Sequence, residues 1–233
     1  MTEKFPLLLV PGLLCSAALW RPQVEALGDV ASPFIADTTA DDSFAGMAKR
    51  ALATMPDRFA LAGLSMGGYV AQEIMRQAPE RVTRLALLDT SARSDSPEQH
   101  ARRMGLIELS EKGQFKGVTP RLLPLLIHPA RLEDEVLTGV VMDMAETIGK
   151  AAFLRQQKAI MGRPDGRGDL ARISCPTLVL CGRQDALTPV ALHEEIADLI
   201  AGSRLAVIED CGHLSTLEKP RSVSAAMRQW LGV

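Results

Sequence analysis

Ser65 stands in Gly63-Leu64-Ser65-Met66-Gly67-Gly68, after an apolar run at 59–62 and before a stretch where Val70, Ala71, Ile74 and Met75 recur at helical spacing as far as Pro79. A serine hydroxyl is a weak nucleophile unless it stands clear of its neighbours. A cramped strand-to-helix turn gives it that exposure, and glycines two places before and two places after the serine relieve the backbone crowding. A bare G-x-S-x-G pattern is also an ordinary glycine-rich turn, so partners carry the argument. They occur in the order serine, acid, histidine. Asp185 follows the buried-strand pattern at 172–182 in Gly182-Arg183-Gln184-Asp185, and His213 follows a second apolar run at 205–208 in Asp210-Cys211-Gly212-His213.

Three separate strands would have to deliver these residues. In an open parallel sheet, chemistry collects outside the carboxyl ends of the strands, which brings Ser65, Asp185 and His213 to one edge. Nucleophilic acyl transfer needs that geometry. His213 accepts the serine proton, Asp185 fixes the imidazole tautomer and stabilises its charged form, and neither metal nor cofactor is required. Asp89, after the fourth strand in Leu87-Leu88-Asp89-Thr90, is a second candidate for the acid. The first strand ends in Pro11-Gly12-Leu13-Leu14-Cys15, a loop expected beside the serine turn. The backbone N–H groups of Met66 and Leu13 are then the candidate donors to a tetrahedral oxyanion, Leu13 by position alone.

Strands are expected near 6–10, 32–37, 59–64, 84–89, 177–182 and 205–209, and helices near 19–28, 44–55, 66–77, 189–200 and 219–231. That alternation predicts a parallel sheet with helices on both faces. It disappears between Arg93 and Gly168, where helices are expected at 97–110, 119–127, 132–147 and 150–161. The third carries an apolar stripe of Leu137, Val141, Met144 and Ile148, with Glu133, Asp134 and Glu135 at its positive end. The chain thus divides into a core at 1–93, a helical insertion at 94–168 and a second core part at 169–233. An insertion after the fourth strand sits above the strand ends, so it reads as a lid over the site; a helical decoration packed on the core would show the same stripe. Arg102, Arg103, Arg121 and Arg155 within it are able to meet a substrate carboxylate but read as solvent-facing pairs, and His100, His128 and His193 read as surface histidines.

Taken together, these residues resemble the α/β-hydrolase superfamily, in particular its small bacterial esterase and enol-lactonase-like members, over residues 7–231. The nucleophile elbow, the Gly-Arg-Gln-Asp turn and the Cys-Gly-His turn match closely. The insertion carries no family pattern. Where the family usually has His-Gly before the oxyanion residue this chain has Pro11-Gly12, which removes a side chain that often braces the loop. The usual antiparallel hairpin before the first core strand is absent too, so a trimmed, six-stranded, mostly parallel sheet is expected. The resemblance implies a serine hydrolase of a small ester or lactone, without cofactor. Two alternatives stay open: a C–C bond hydrolase of a vinylogous diketone that uses the same three residues, and a ligand-binding protein on the same fold.

Composition fits such an enzyme. The 233 residues are 47% hydrophobic and 23% charged, with a net charge of −2, enough for one catalytic domain and a small insertion. The near-neutral balance offers no general attraction for nucleic acid or an anionic membrane. Cys15, Cys175, Cys181 and Cys211 show no C-x-x-C spacing, and read as reduced thiols of a cytoplasmic protein without a zinc site. The segment around Lys4 to Ala18 has some features of an export signal. Glu3 cancels its positive charge, prolines interrupt the apolar run and Leu14 is bulky before Cys15, so it reads instead as the first core strand and its loop.

Overall fold

The computed structural model describes residues 4–233; Glu3 and the first two residues lie outside the described part. Six strands form one sheet: β1 Phe5–Val10, β2 Ala31–Ile35, β3 Phe59–Leu64, β4 Val82–Leu88, β5 Thr177–Gly182 and β6 Arg204–Ile208. Their spatial order is β2-β1-β3-β4-β5-β6, and every neighbouring pair is parallel. The order reverses between β1 and β3, so the loops after these two strands open beside one another.

The sheet is buried on both faces, which is why its central strands are continuous apolar runs. Alternate residues feed two cores. Leu7, Leu9, Ala62, Leu64, Leu88 and Leu180 face one, and Leu8, Val10, Leu61, Leu87 and Val179 face the other. Helices α1 (Arg21–Leu27) and α9 (Pro220–Leu231) cover the first face; α2 (Phe44–Thr54), α3 (Met66–Gln77) and α8 (Val190–Leu199) cover the second. The edge strand β2 carries Pro33, tolerated there because its missing N–H takes no central ladder position away.

Between β4 and β5 lie α4 (Pro97–Leu109), α5 (Leu123–Leu126), α6 (Glu135–Met161) and α7 (Arg167–Leu170). Ser96 and Gln99 close a capping box at the start of α4. The helix expected over 119–127 shrinks to one turn, since Pro124 falls at its first positions and residues 120–122 are turn. Asp134 caps α6 by accepting from the Leu137 N–H at 3.0 Å, which starts the helix later than the pattern at Leu132 suggested. The two helices expected over 132–161 meet at Gly149, whose φ of 73° kinks α6. No helix among the described residues is long and apolar enough to cross a membrane.

Candidate active site

Ser65 sits between β3 and α3 with φ 56° and ψ −118°, a left-handed conformation that costs about 1–3 kcal/mol and persists only where the surroundings hold it. Those surroundings are backbone. A side chain on Gly63 would run into the Gly67 carbonyl, and one on Gly67 into the Val10 carbonyl, so both glycines are required by close approach. The Ser65 N–H donates to the Leu88 carbonyl at 2.9 Å, and Thr90 Oγ1 donates to the Ser65 carbonyl at 2.8 Å.

The structure brings Ser65, His213 and Asp185 into one chain of hydrogen bonds. His213 Nε2 lies 2.9 Å from Ser65 Oγ, and His213 Nδ1 lies 2.8 Å from Asp185 Oδ2. Asp185 also accepts from the N–H groups of Leu187 and Thr188, both at 2.8 Å, and from Thr188 Oγ1 at 2.6 Å. Burial pushes this carboxyl up, but the His213 charge and the bonds from His213 and Thr188 outweigh it and hold Asp185 below the usual carboxylate range. Burial pulls the His213 imidazole down, whereas the charge and hydrogen bond of Asp185 lift it above the ordinary histidine value.

Asp89, the other candidate acid, does not reach the imidazole. It accepts from the Gly182 N–H at 3.0 Å and from the Ser215 hydroxyl, and is fully buried. Burial, then the neighbouring Asp185 charge, push its carboxyl well above the usual range.

Ser65 and His213 open into a cavity of about 850 Å³, also lined by Leu13, Met66, Val141 and Met144. Met66 is the first residue of α3, where backbone N–H groups lack helical partners. Cys15 lines the same space, but burial raises its thiol to about 12, leaving it unreactive.

A model of the alpha/beta hydrolase family matches residues 7–226. The chain belongs to this family. Among its relatives is a Mycobacterium tuberculosis protein named as a non-heme bromoperoxidase, BpoC, 32% identical over 170 residues, which are 71% of this chain but only 64% of that protein. A pimeloyl-[acyl-carrier protein] methyl ester esterase of Nitrosomonas europaea is 25% identical over 92% of this chain and 90% of its own length. Among solved structures, a thermophilic esterase from Thermogutta terrifontis superposes with a TM-score of 0.89 at 29% identity, covering 98% of this chain and 90% of that one.

Several residues that shape this site carry no sequence signal. Gln156 of α6 is fully buried, accepts from the Leu14 N–H at 3.1 Å and donates to the Thr38 carbonyl at 3.2 Å. It thereby holds the loop that begins with Pro11-Gly12, where a bracing side chain is missing. Glu218, also buried, accepts from the N–H of Gly212 at 3.0 Å and of His128 at 2.7 Å, tying the His213 loop to the insertion. His193, expected at the surface, is buried instead. Its Nε2 accepts from the Thr90 N–H at 2.8 Å, and burial pushes its pKa down to about 4, so it serves as a neutral acceptor. Arg103 is likewise no solvent-facing pair: with Arg163 it encloses Asp95, whose side chain is 3% exposed.

Proposed function

We propose that this protein cleaves a small carboxylic ester or lactone through an acyl-enzyme. The observation that carries this reading is the continuous hydrogen-bond chain Ser65–His213–Asp185, whose serine end lines a cavity of about 850 Å³. His213 takes the Ser65 proton as Oγ attacks the ester carbonyl, and Asp185 stabilises the imidazolium so formed. The N–H groups of Met66 and Leu13 receive the developing oxyanion, each worth roughly 3 kcal/mol in sites of this kind. Collapse of the tetrahedral intermediate passes the proton from His213 to the leaving alkoxide and leaves the acyl group on Ser65. Water, activated by the same imidazole, then releases the acid and restores the serine. Residues 94–168 act as the lid that sets which acyl groups fit. The ester-acting names among the relatives support the bond type.

Fluorophosphonate labelling tests this assignment. Ser65→Ala is expected to abolish labelling and to lower ester turnover by at least about 10⁴-fold with the fold intact. Because Asp185 raises the His213 pKa, the wild-type labelling rate is expected to fall on the acid side at a midpoint above the ordinary histidine value of about 6.5. Labelling that persists in Ser65→Ala, or a rate flat down to about pH 5, would remove the nucleophile or the base.

A further inference from the structure

The cavity wall carries positive charge that acyl transfer does not use. In a chain of net charge −2, six cationic side chains among the described residues line this one space, Arg93, Arg102, Arg103, Lys116, Arg163 and Arg167, against two carboxylates, Asp95 and Asp165. Some of that charge is matched locally. Arg93 pairs with Glu195 at 2.9 Å, and Arg167 with Asp165 at 2.5 Å. Among the described residues Arg102 and Lys116 form no ion pair.

The decisive group lies deeper. Arg103 Nε is 2.7 Å from Asp95 Oδ2, and Arg163 Nη1 faces Asp95 Oδ1 at 2.7 Å without hydrogen-bond alignment. The side chains of Arg163 and Asp95 are only 6% and 3% exposed, and that of Arg103 only 21%. Two guanidiniums therefore share one carboxylate in a place where an unmatched charge is poorly solvated. Arg103 Nη1 is taken by Gln157 Oε1 at 2.9 Å and Arg163 Nε by the Arg93 carbonyl at 2.9 Å. Neither Nη2 has a hydrogen-bond partner among the described residues. The Arg163 guanidinium also stacks 4.3 Å from the Tyr69 ring centre. Tyr69 stands four residues after Ser65 on α3, about 6 Å along the helix axis from the nucleophile.

We propose that Arg103 and Arg163 form a carboxylate-binding subsite, so that the substrate is an ester or lactone bearing a carboxylate a few atoms from its scissile carbonyl. A carboxylate can accept from the free Nη2 of each guanidinium, one oxygen to each, and its charge completes the balance that Asp95 leaves short by one. The proposal rests on the acyl-transfer reading of Ser65 for its placement, and the experiment separates the two.

Turnover is measured on two matched pairs: monomethyl glutarate against dimethyl glutarate, which places the charge on the acyl side, and 4-acetoxybutyrate against its methyl ester, which places it on the alcohol side. At least one anionic ester is expected to exceed its neutral partner tenfold or more in kcat/KM. Arg103→Met should lower that ratio at least tenfold; Arg103 is the residue to change because Arg163 also holds the Arg93 carbonyl. In parallel, glutarate is expected to raise the melting temperature of Ser65→Ala but not of the Ser65→Ala/Arg103→Met double variant. A neutral preference in both pairs, or an anionic preference that survives Arg103→Met, overturns the subsite. If the wild type hydrolyses no ester, the acyl-transfer reading falls, and the glutarate shift alone then upholds or overturns the subsite.

Discussion

The floor of the cavity, at the strand ends, is held by backbone, and the side formed by residues 94–168, its roof under the proposed function, largely by side chains. On the floor, the N–H groups of Ser65, Asp89 and Arg183 donate to the carbonyls of Leu88, Leu180 and Ile208 at 2.8–2.9 Å, so the loops beyond β3, β4 and β5 continue the sheet's own ladder. At the roof, side chains supply most of the polar ties to the core, Gln156 to Leu14 and Thr38, Arg155 Nε to the Thr39 carbonyl at 2.6 Å, and Lys158 to Asp42 at 2.5 Å, beside two backbone bonds, from the Leu214 N–H to the Leu126 carbonyl at 3.0 Å and from the Gly166 N–H to the Ala92 carbonyl at 2.7 Å. A ladder is collective, and displacing one rung displaces its neighbours. Tethers of one side chain each can change separately without moving the sheet. Under the proposed function, the floor therefore sets the rate of bond cleavage and the roof sets which bonds are presented.

The largest expected effect lies on the floor. Asp185→Asn keeps the shape of the acid but favours the wrong imidazole tautomer, and should lower kcat by about 10³- to 10⁴-fold. Asp89→Asn should stay within about tenfold, because burial already biases Asp89 toward its neutral form and an amide oxygen still accepts from the Gly182 N–H. Steady-state kinetics of the two variants side by side check this. The reverse ranking would move the acid to the end of β4.

Gln156 stands where floor and roof meet, and a smaller effect is expected there. Gln156→Met conserves volume but leaves the Leu14 N–H without its acceptor, at a cost of about 1–3 kcal/mol. If that bond holds the loop that presents Leu13, kcat should fall about tenfold while KM moves less. A lower melting temperature with unchanged kcat would make Gln156 a tether of the insertion and nothing more.

The same division explains what was legible in the sequence. Strands buried on both faces must be apolar runs, and residues at their ends sit on turns with glycine requirements, so the four central strands and the placing of Ser65, Asp185 and His213 beyond strand ends could be read from the sequence, while the half-exposed edge strands β2 and β6 were read from their shorter apolar runs. Residues that act through tertiary contact did not. Gln156 and Arg103 look like the polar face of an exposed helix, and Arg163 like a loop cation, until another segment packs over them. His193 shares the inner face of α8 with Ile196, but the Thr90 N–H that makes a buried histidine favourable lies 103 residues away in sequence. In the insertion, the apolar stripe of α6 signalled a buried face without saying whether core or cavity lay against it.

That last ambiguity yields the smallest but most discriminating effect. Leu137, Val141 and Met144 are all buried on α6 and belong to one apolar cluster, yet only Val141 and Met144 also line the cavity. Truncating Met144 or Val141 to alanine should enlarge the space available to an acyl chain. Each added methylene that fits is worth about 0.8 kcal/mol, so kcat/KM for butyrate over acetate esters should rise severalfold. Leu137→Ala removes packing away from the cavity and should cost about 2–5 kcal/mol of stability while the chain-length profile stays that of the wild type. Measuring the profile and the melting temperature for all three variants separates the roles. If Met144→Ala and Val141→Ala behave like Leu137→Ala, less stable with the same preference, then residues 94–168 merely decorate the core and selectivity must arise from the floor.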